Sequence, residues 1–376
     1  MRHAVGLASR LVAAARPAAK SARCLYKGVR VTSSRRDADT APDMPIPWRL
    51  VVAFLLAGGA SSAAAQGACG APLDPAADAG ARIAAVACEE HALWYSPFID
   101  HTGRLASMRI SESEALRLRD GSTPAWMRVA EYWQRSGVRW PPSGLPAGAE
   151  CMPGARDAGA ALCRVFLIDT PWSAVFVSYV MGRAGIAGFP ASARHVDYVR
   201  EAHGATGSAP YRLVDPHDTA PAVGDLLCFA RGSGQVMGHA GFIAWLARTK
   251  SEPMAMHCDI VVSAGDGRAR LVGGNVLQGV TMRIIPLNRA GRFWGLAQRT
   301  AQQAECTPSN ASDCNFNRQD WVALMKLDAR AAAPGQPRVL PLDRPSCCEV
   351  CELPMPTGMR RCTAGEANGS GLPIGG

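Results

Sequence analysis

Three side chains of types that can carry nucleophilic hydrolysis stand in order along the chain. They are Ser173 in Asp169-Thr170-Pro171-Trp172-Ser173-Ala174-Val175-Phe176, His257 in His257-Cys258-Asp259-Ile260-Val261-Val262, and Asn275 in Gly273-Gly274-Asn275-Val276. A serine hydroxyl stays protonated near neutral pH and attacks only when a base takes its proton. The spacing puts Ser173 at about the third position of a helix beginning at Pro171. There backbone N–H groups lack intrahelical partners, and the positive end of the helix favours a developing oxyanion. His257 is the candidate base, and Asn275 the polar group that accepts from the imidazole N–H and fixes its tautomer. Each also has a plainer role: serines are common at helix starts, a lone histidine before an apolar strand is commonly packed or solvated, and Gly-Gly-Asn suits a turn.

Two histidines compete with or support that trio. His239, in Gly238-His239-Ala240-Gly241-Phe242, also precedes an apolar run, but His257 is preferred because Asn275 follows it one strand later. His195, three residues before Tyr198, reads as a packing or supporting group. On a regular strand His257, Asp259 and Val261 share one face and Cys258, Ile260 and Val262 the other, so a carboxylate lies beside the imidazole. Cys228 and Cys258 fall near the ends of two candidate strands and suit a cross-strand disulfide; unpaired, either thiol would be a rival nucleophile.

The elements that must hold these residues are legible in outline. A helix is expected over 74–96 with Asp74 as cap, and a second over 123–136, capped by Thr123 with Pro124 in its first turn. The Pro/Gly-rich stretch 141–159 reads as a loop. The helix from Pro171 can be capped by Asp169 or Thr170 and ended by Gly185, and another helix covers 192–203. Strands are expected at 224–229, 240–245, 259–262, 270–272 and 280–285, with Gly265-Asp266-Gly267 turning between two of them. Helices followed by antiparallel strands give an α+β class.

The blocks quoted above, with Val177-Ser178-Tyr179-Val180, the trio Ser192, His195 and Tyr198, and Gly224-Asp225-Leu226-Leu227-Cys228, resemble the family called domain of unknown function 2272 over roughly 80–300. That family resembles a distant branch of the NlpC-type and CHAP cysteine peptidases and amidases, which cut amide bonds in bacterial cell-wall peptides. The resemblance implies a papain-like core of N-terminal helices packed on a small antiparallel sheet. By position it carries the nucleophile to Ser173, the base to His257 and the orienter to Asn275. The departure is at the nucleophile, where those enzymes carry a cysteine. A thiol at a helix start ionises readily, whereas a hydroxyl needs its base within hydrogen-bond reach.

Charge and cysteine usage bear on where such a protein works. The +9 net charge is concentrated at the start, because residues 1–65 hold 10 Lys/Arg and 3 Asp/Glu. The body carries only about +2, so no nucleic-acid partner is expected. From Met44 a basic start at Arg49, an apolar run over 50–57 and an Ala-rich end through Ala65 describe a secretory signal peptide over 44–65, after a leader of uncertain status at 1–43. The run of eight apolar residues is short of the roughly 20 that span a bilayer, so no stable membrane span is expected after cleavage. Of 13 cysteines only Cys24 lies in the leader, which leaves an even number for pairing in an oxidising compartment. Cys69 with Cys88, Cys151 with Cys163 and Cys306 with Cys314 are neighbours suited to pairing. Cys347, Cys348, Cys351 and Cys362 crowd a Pro/Gly-rich tail, where the spacing is poor for a zinc knuckle.

The expected organisation is a helical N-terminal segment at 66–160, an NlpC/CHAP-like domain at 161–300 and a Cys/Pro/Gly-rich tail at 301–376. The expected product is an exported, periplasmic or extracellular hydrolase-like protein acting on peptidoglycan or another cell-envelope peptide. Its rivals are a catalytically inactive envelope-binding protein and a disulfide-stapled interaction protein. No cofactor or metal is expected, since the chain lacks a Gly-rich phosphate loop and a His-Glu-x-x-His motif.

Overall fold

A computed structural model of the chain describes residues 68–112, 116–138, 151, 157–205, 209–232, 237–300, 304 and 306–328, together with the short strands at 347–348 and 360–361. The leader, the signal-peptide reading and most of the tail, including Cys351 and Cys362, lie outside the described residues.

The helices are α1 (Ala79–Leu93), α2 (Ala125–Arg135), α3 (Asp157–Asp169), α4 (Ser173–Arg183), α5 (His195–His203) and α6 (Gly238–Arg248). The strands are β1 (Phe98–Ile99), β2 (Leu105–Ala106), β3 (Tyr211–Val214), β4 (Leu226–Ala230), β5 (Met256–Gly265), β6 (Arg268–Val276), β7 (Gly279–Pro286) and β8 (Asp320–Leu327). They form one eight-stranded sheet in the order β2-β1-β7-β6-β5-β4-β8-β3. The pairings are antiparallel except that of β1 with β7. The class is α+β, with a sheet larger than the small antiparallel one expected.

Strand alternation divides the core in two. Cys228, Cys258, Ile260, Val262, Val272 and Val280 pack with α1, α2 and α4, while Leu227, Val261, Leu271, Ile285, Trp321 and Leu324 form a second core with Leu287, Phe293 and Leu296. The helices are tied by the buried Glu90 of α1. It accepts from Arg128 Nε at 3.0 Å and Tyr132 Oη at 2.7 Å on α2, and from Arg183 of α4 at 3.3 Å. Arg82 of α1 donates to the carbonyl of Ala184 at 2.9 Å, closing the far end of α4. These bonds fix the axis along which α4 presents its first residue.

Several sequence expectations change. Residues 240–245 are helical: Phe242 and Leu246, four apart, are buried on one side of α6, a helical spacing within a short apolar run that also resembles a strand. Helix α3 occupies part of what read as a loop. Asp78 rather than Asp74 caps α1, its carboxylate accepting from the Ala81 N–H at 2.9 Å, and Pro124 rather than Thr123 holds the cap position of α2. The sheet also passes the expected boundary at 300, because β8 lies between β4 and β3.

Among the described residues four disulfides are formed: Cys69–Cys88, Cys151–Cys163, Cys228–Cys258 and Cys306–Cys314. All four pairs were suggested by proximity or strand position in the sequence, and they point to folding in oxidising, non-cytoplasmic surroundings. Cys228 and Cys258 stand directly opposite on β4 and β5, so neither thiol is a rival nucleophile. Among the described residues no single helix is long and apolar enough to cross a membrane.

Candidate active site

Ser173 is the first residue of α4, following Trp172 at the cap position, and no side chain caps this helix. Neither Asp169 nor Thr170 takes that role. The first helical hydrogen bond runs from the Phe176 N–H to the Trp172 carbonyl at 2.9 Å, so the amides of Ser173, Ala174 and Val175 precede the helical ladder. Trp172 is buried, stacks on Trp94 at 5.9 Å and donates its indole N–H to Glu112. Burial pushes the Glu112 carboxyl up, against the lowering effect of that bond.

The residue in contact with Ser173 is His195, whose Nε2 lies 2.7 Å from Ser173 Oγ. The sequence reading underestimated it. His195 opens α5, and its Nδ1 is hydrogen-bonded to the hydroxyl of Tyr198, one turn along. A polar bracket docks α5 in this position. The Ser192 N–H donates to Ser178 Oγ on α4 at 3.1 Å, and Ser192 Oγ donates to Asp197 at 2.6 Å. Burial, then the charges of His257 and Arg231, hold the His195 pKa well below 6.5, so the ring is neutral. Burial likewise raises the Tyr198 phenol well above 10.0.

His257 is the second residue of β5, and its ring centre lies 5.2 Å from that of His195 at an interplanar angle of 59°. Its Nε2 is 2.7 Å from Asp259 Oδ1, and Asp259 Oδ2 accepts from Arg283 Nε at 2.9 Å. Burial works to raise the Asp259 carboxyl, but His257 and Arg283 outweigh it and hold it below the usual carboxylate range. Burial lowers the His257 pKa, with Asp259 opposing. An ionised Asp259 can only accept, so Nε2 carries the proton and Nδ1 presents a lone pair. That Nδ1 is buried and has no hydrogen-bond partner.

Asn275 does not orient this ring. It is half-buried in left-handed backbone at φ 54°, within the irregular pairing of β6 and β7 between Gly273 and Val276, and makes no hydrogen bond to His257. The glycines before it do the positioning. A Cβ on Gly273 would fall 2.0 Å from Asp259 Oδ1 and 2.8 Å from His257 Nε2, and one on Gly274 would fall 2.4 Å from the Phe176 side chain. Gly273 therefore leaves room for the His257–Asp259 pair, and Gly274 lets α4 approach the sheet. His239 lies elsewhere, its Nδ1 donating to the Val322 backbone carbonyl of β8 at 2.7 Å.

The relative exposures of Ser173, His195, His257 and Asp259 are 5%, 3%, 0% and 1%, which makes this a desolvated constellation in which each polar contact counts strongly. His195 and Tyr198, spaced three apart on one helix, are visible in the sequence as a supporting pair rather than as the contact of Ser173, and the signal for Arg283, not singled out from the sequence, is a charge within an apolar strand. Among the described residues no group of three or more His, Cys, Asp or Glu side chains is arranged to hold a metal.

No curated protein and no solved structure matches the chain. A family model described as an uncharacterised protein conserved in bacteria, domain of unknown function 2272, matches residues 120–327. That span covers more than half of the chain and runs from before α2 to the end of β8, and the protein belongs to this family.

Proposed function

We propose that the protein is an exported serine hydrolase of papain-like organisation that cuts an amide bond in peptidoglycan or another cell-envelope peptide. The observation that carries this reading is the 2.7 Å contact between Ser173 Oγ and His195 Nε2 at the uncapped start of α4. Ser173 O–H donates to the Nε2 lone pair, while Nδ1–H donates to Tyr198 and fixes that tautomer. As Ser173 attacks the carbonyl carbon, His195 takes its proton. The free amides at the start of α4 and the helix dipole support the oxyanion. The imidazolium then returns the proton to the leaving amine.

This reading revises the assignment of roles that the family resemblance implies. The nucleophile stays at Ser173, the first base becomes His195, and His257 stands beside it with Asp259 and Arg283. The order of a nucleophile at a helix start followed by a histidine on a strand supports the papain-like organisation, and the disulfides support export.

A second reading, a non-catalytic envelope-binding protein, is favoured by the burial of Ser173 and by its hydroxyl in place of a thiol. Digestion of purified peptidoglycan, read by mass spectrometry, separates the two. The hydrolase releases fragments that Ser173→Ala no longer releases. A binding protein releases none, and turnover appears only with Ser173→Cys.

A further inference from the structure

We propose that Arg231 is a specificity residue that recognises a carboxylate on the substrate, so that the site takes peptides carrying a negative charge near the bond to be cut. This deepens the hydrolase reading and rests on it.

Arg231 follows the last residue of β4, and its N–H donates to the Ala255 carbonyl at 2.8 Å, continuing the β4–β5 pairing. Two residues earlier, Phe229 stands opposite His257 in that pairing, with ring centres 5.2 Å apart. Strand alternation puts Arg231 on the same face as Phe229 and His257. Its guanidinium carbon lies 5.6 Å from the centre of the Phe229 ring, so the charged head stacks on that ring while the residue as a whole is exposed.

A second guanidinium touches the same ring and shows the contrast. Arg283 lies 5.8 Å from the Phe229 centre, but its donors are used by Asp259, the Phe316 carbonyl and Asn317. Among the described residues Arg231 makes no salt bridge and no side-chain hydrogen bond; burial lowers its pKa, and Asp259, which already pairs with Arg283, acts on it only through its field. Its charge reaches the site, since it is one of the charges depressing both His195 and His257.

Charge accounting then selects the ligand. Ser173, His195 and His257 are neutral and the charges of Asp259 and Arg283 cancel, so Arg231 leaves the constellation at +1. A planar fork of unused N–H donors matches a carboxylate in two-point geometry, and in a peptide substrate that anion is a side-chain or terminal carboxylate.

The test uses the full chain and two activated esters, mono-p-nitrophenyl succinate, which carries a carboxylate, and neutral p-nitrophenyl butyrate. Wild type favours the anionic ester, Arg231→Gln lowers the anionic-to-neutral ratio of kcat/KM by about tenfold, and Arg231→Lys recovers part of it. An unchanged ratio overturns the proposal. If neither ester is turned over, the hydrolase reading fails separately. The cation site is then read by binding, with N-acetylalanine but not N-acetylalaninamide shifting the histidine imidazole resonances of wild type and not those of Arg231→Gln. Equal shifts by both probes, or by neither, overturn it.

Discussion

Ser173 and His195 meet at 2.7 Å, and each is the first residue of its own helix. Two positive helix ends therefore converge on one hydrogen bond. That field favours an anion on the serine side and disfavours a cation on the imidazole, in the same direction as burial. The pair is built to hold a neutral acceptor against a hydroxyl, and the Asp259 carboxylate is the negative charge that offsets the imidazolium formed when the proton moves.

His195 and Tyr198 should separate as base and orienter. His195→Ala is expected to lower kcat by about 10²–10⁴-fold, the range for a lost general base. Tyr198→Phe keeps the ring packed and loses only the bond to Nδ1, so it should cost less and leave thermal stability close to wild type. Steady-state kinetics with parallel thermal denaturation checks both.

Gly273 should tolerate no side chain. The added Cβ of Gly273→Ala meets Asp259 and His257 inside the sheet, where neither can retreat, and the cost is expected to be about 1–3 kcal/mol. Chemical denaturation of the purified variant measures it, and Gly265→Ala, at a position with open space around its Cβ, is the control.

Arg283→Met should strand a buried carboxylate. Removing one partner of a buried ion pair costs about 3–5 kcal/mol, largely because the other charge stays behind. Neutralising that charge as well, in Arg283→Met with Asp259→Asn, is expected to recover a substantial part of the loss. Denaturation midpoints of the single and double variants give the comparison.

Stability should fall with acid in two stages. His195 and His257 have folded pKa values below 6.5, so beneath that pH the unfolded chain binds protons that the folded chain refuses. The stabilisation they give is present above 6.5 and declines as pH drops from there towards the folded values. Asp259, held below its ordinary 3.8, adds stabilisation above that value that is lost only in stronger acid. Melting temperature measured across pH 3–8 should therefore begin to drop near pH 6.5.

The helix at Ser173, the strands around His257 and Gly273, and all four disulfide pairs were legible because local chemistry marks them: an apolar period, turn residues and cysteines close in chain or strand position. The partner of Ser173 was not, because the meeting of α4 with α5 depends on the Ser178–Ser192 bracket, which no periodicity encodes. The run at 240–245 was misread because an apolar stretch that short suits either period. Strand β8 was missed because its pairing with β4 lies about ninety residues away in sequence, among segments whose composition suggests a tail. Asp259 was seen as a neighbour of His257, but its role follows only once Arg283 is placed beside it.

The account rests on Ser173 being an activated nucleophile, and labelling the full chain with a fluorophosphonate, followed by peptide mass spectrometry, tests that without knowledge of the substrate. The expected result is a single adduct on Ser173 that is lost in Ser173→Ala and strongly reduced in His195→Ala. A wild-type chain that stays unlabelled while a control serine hydrolase reacts, or labelling undiminished by His195→Ala, would contradict it.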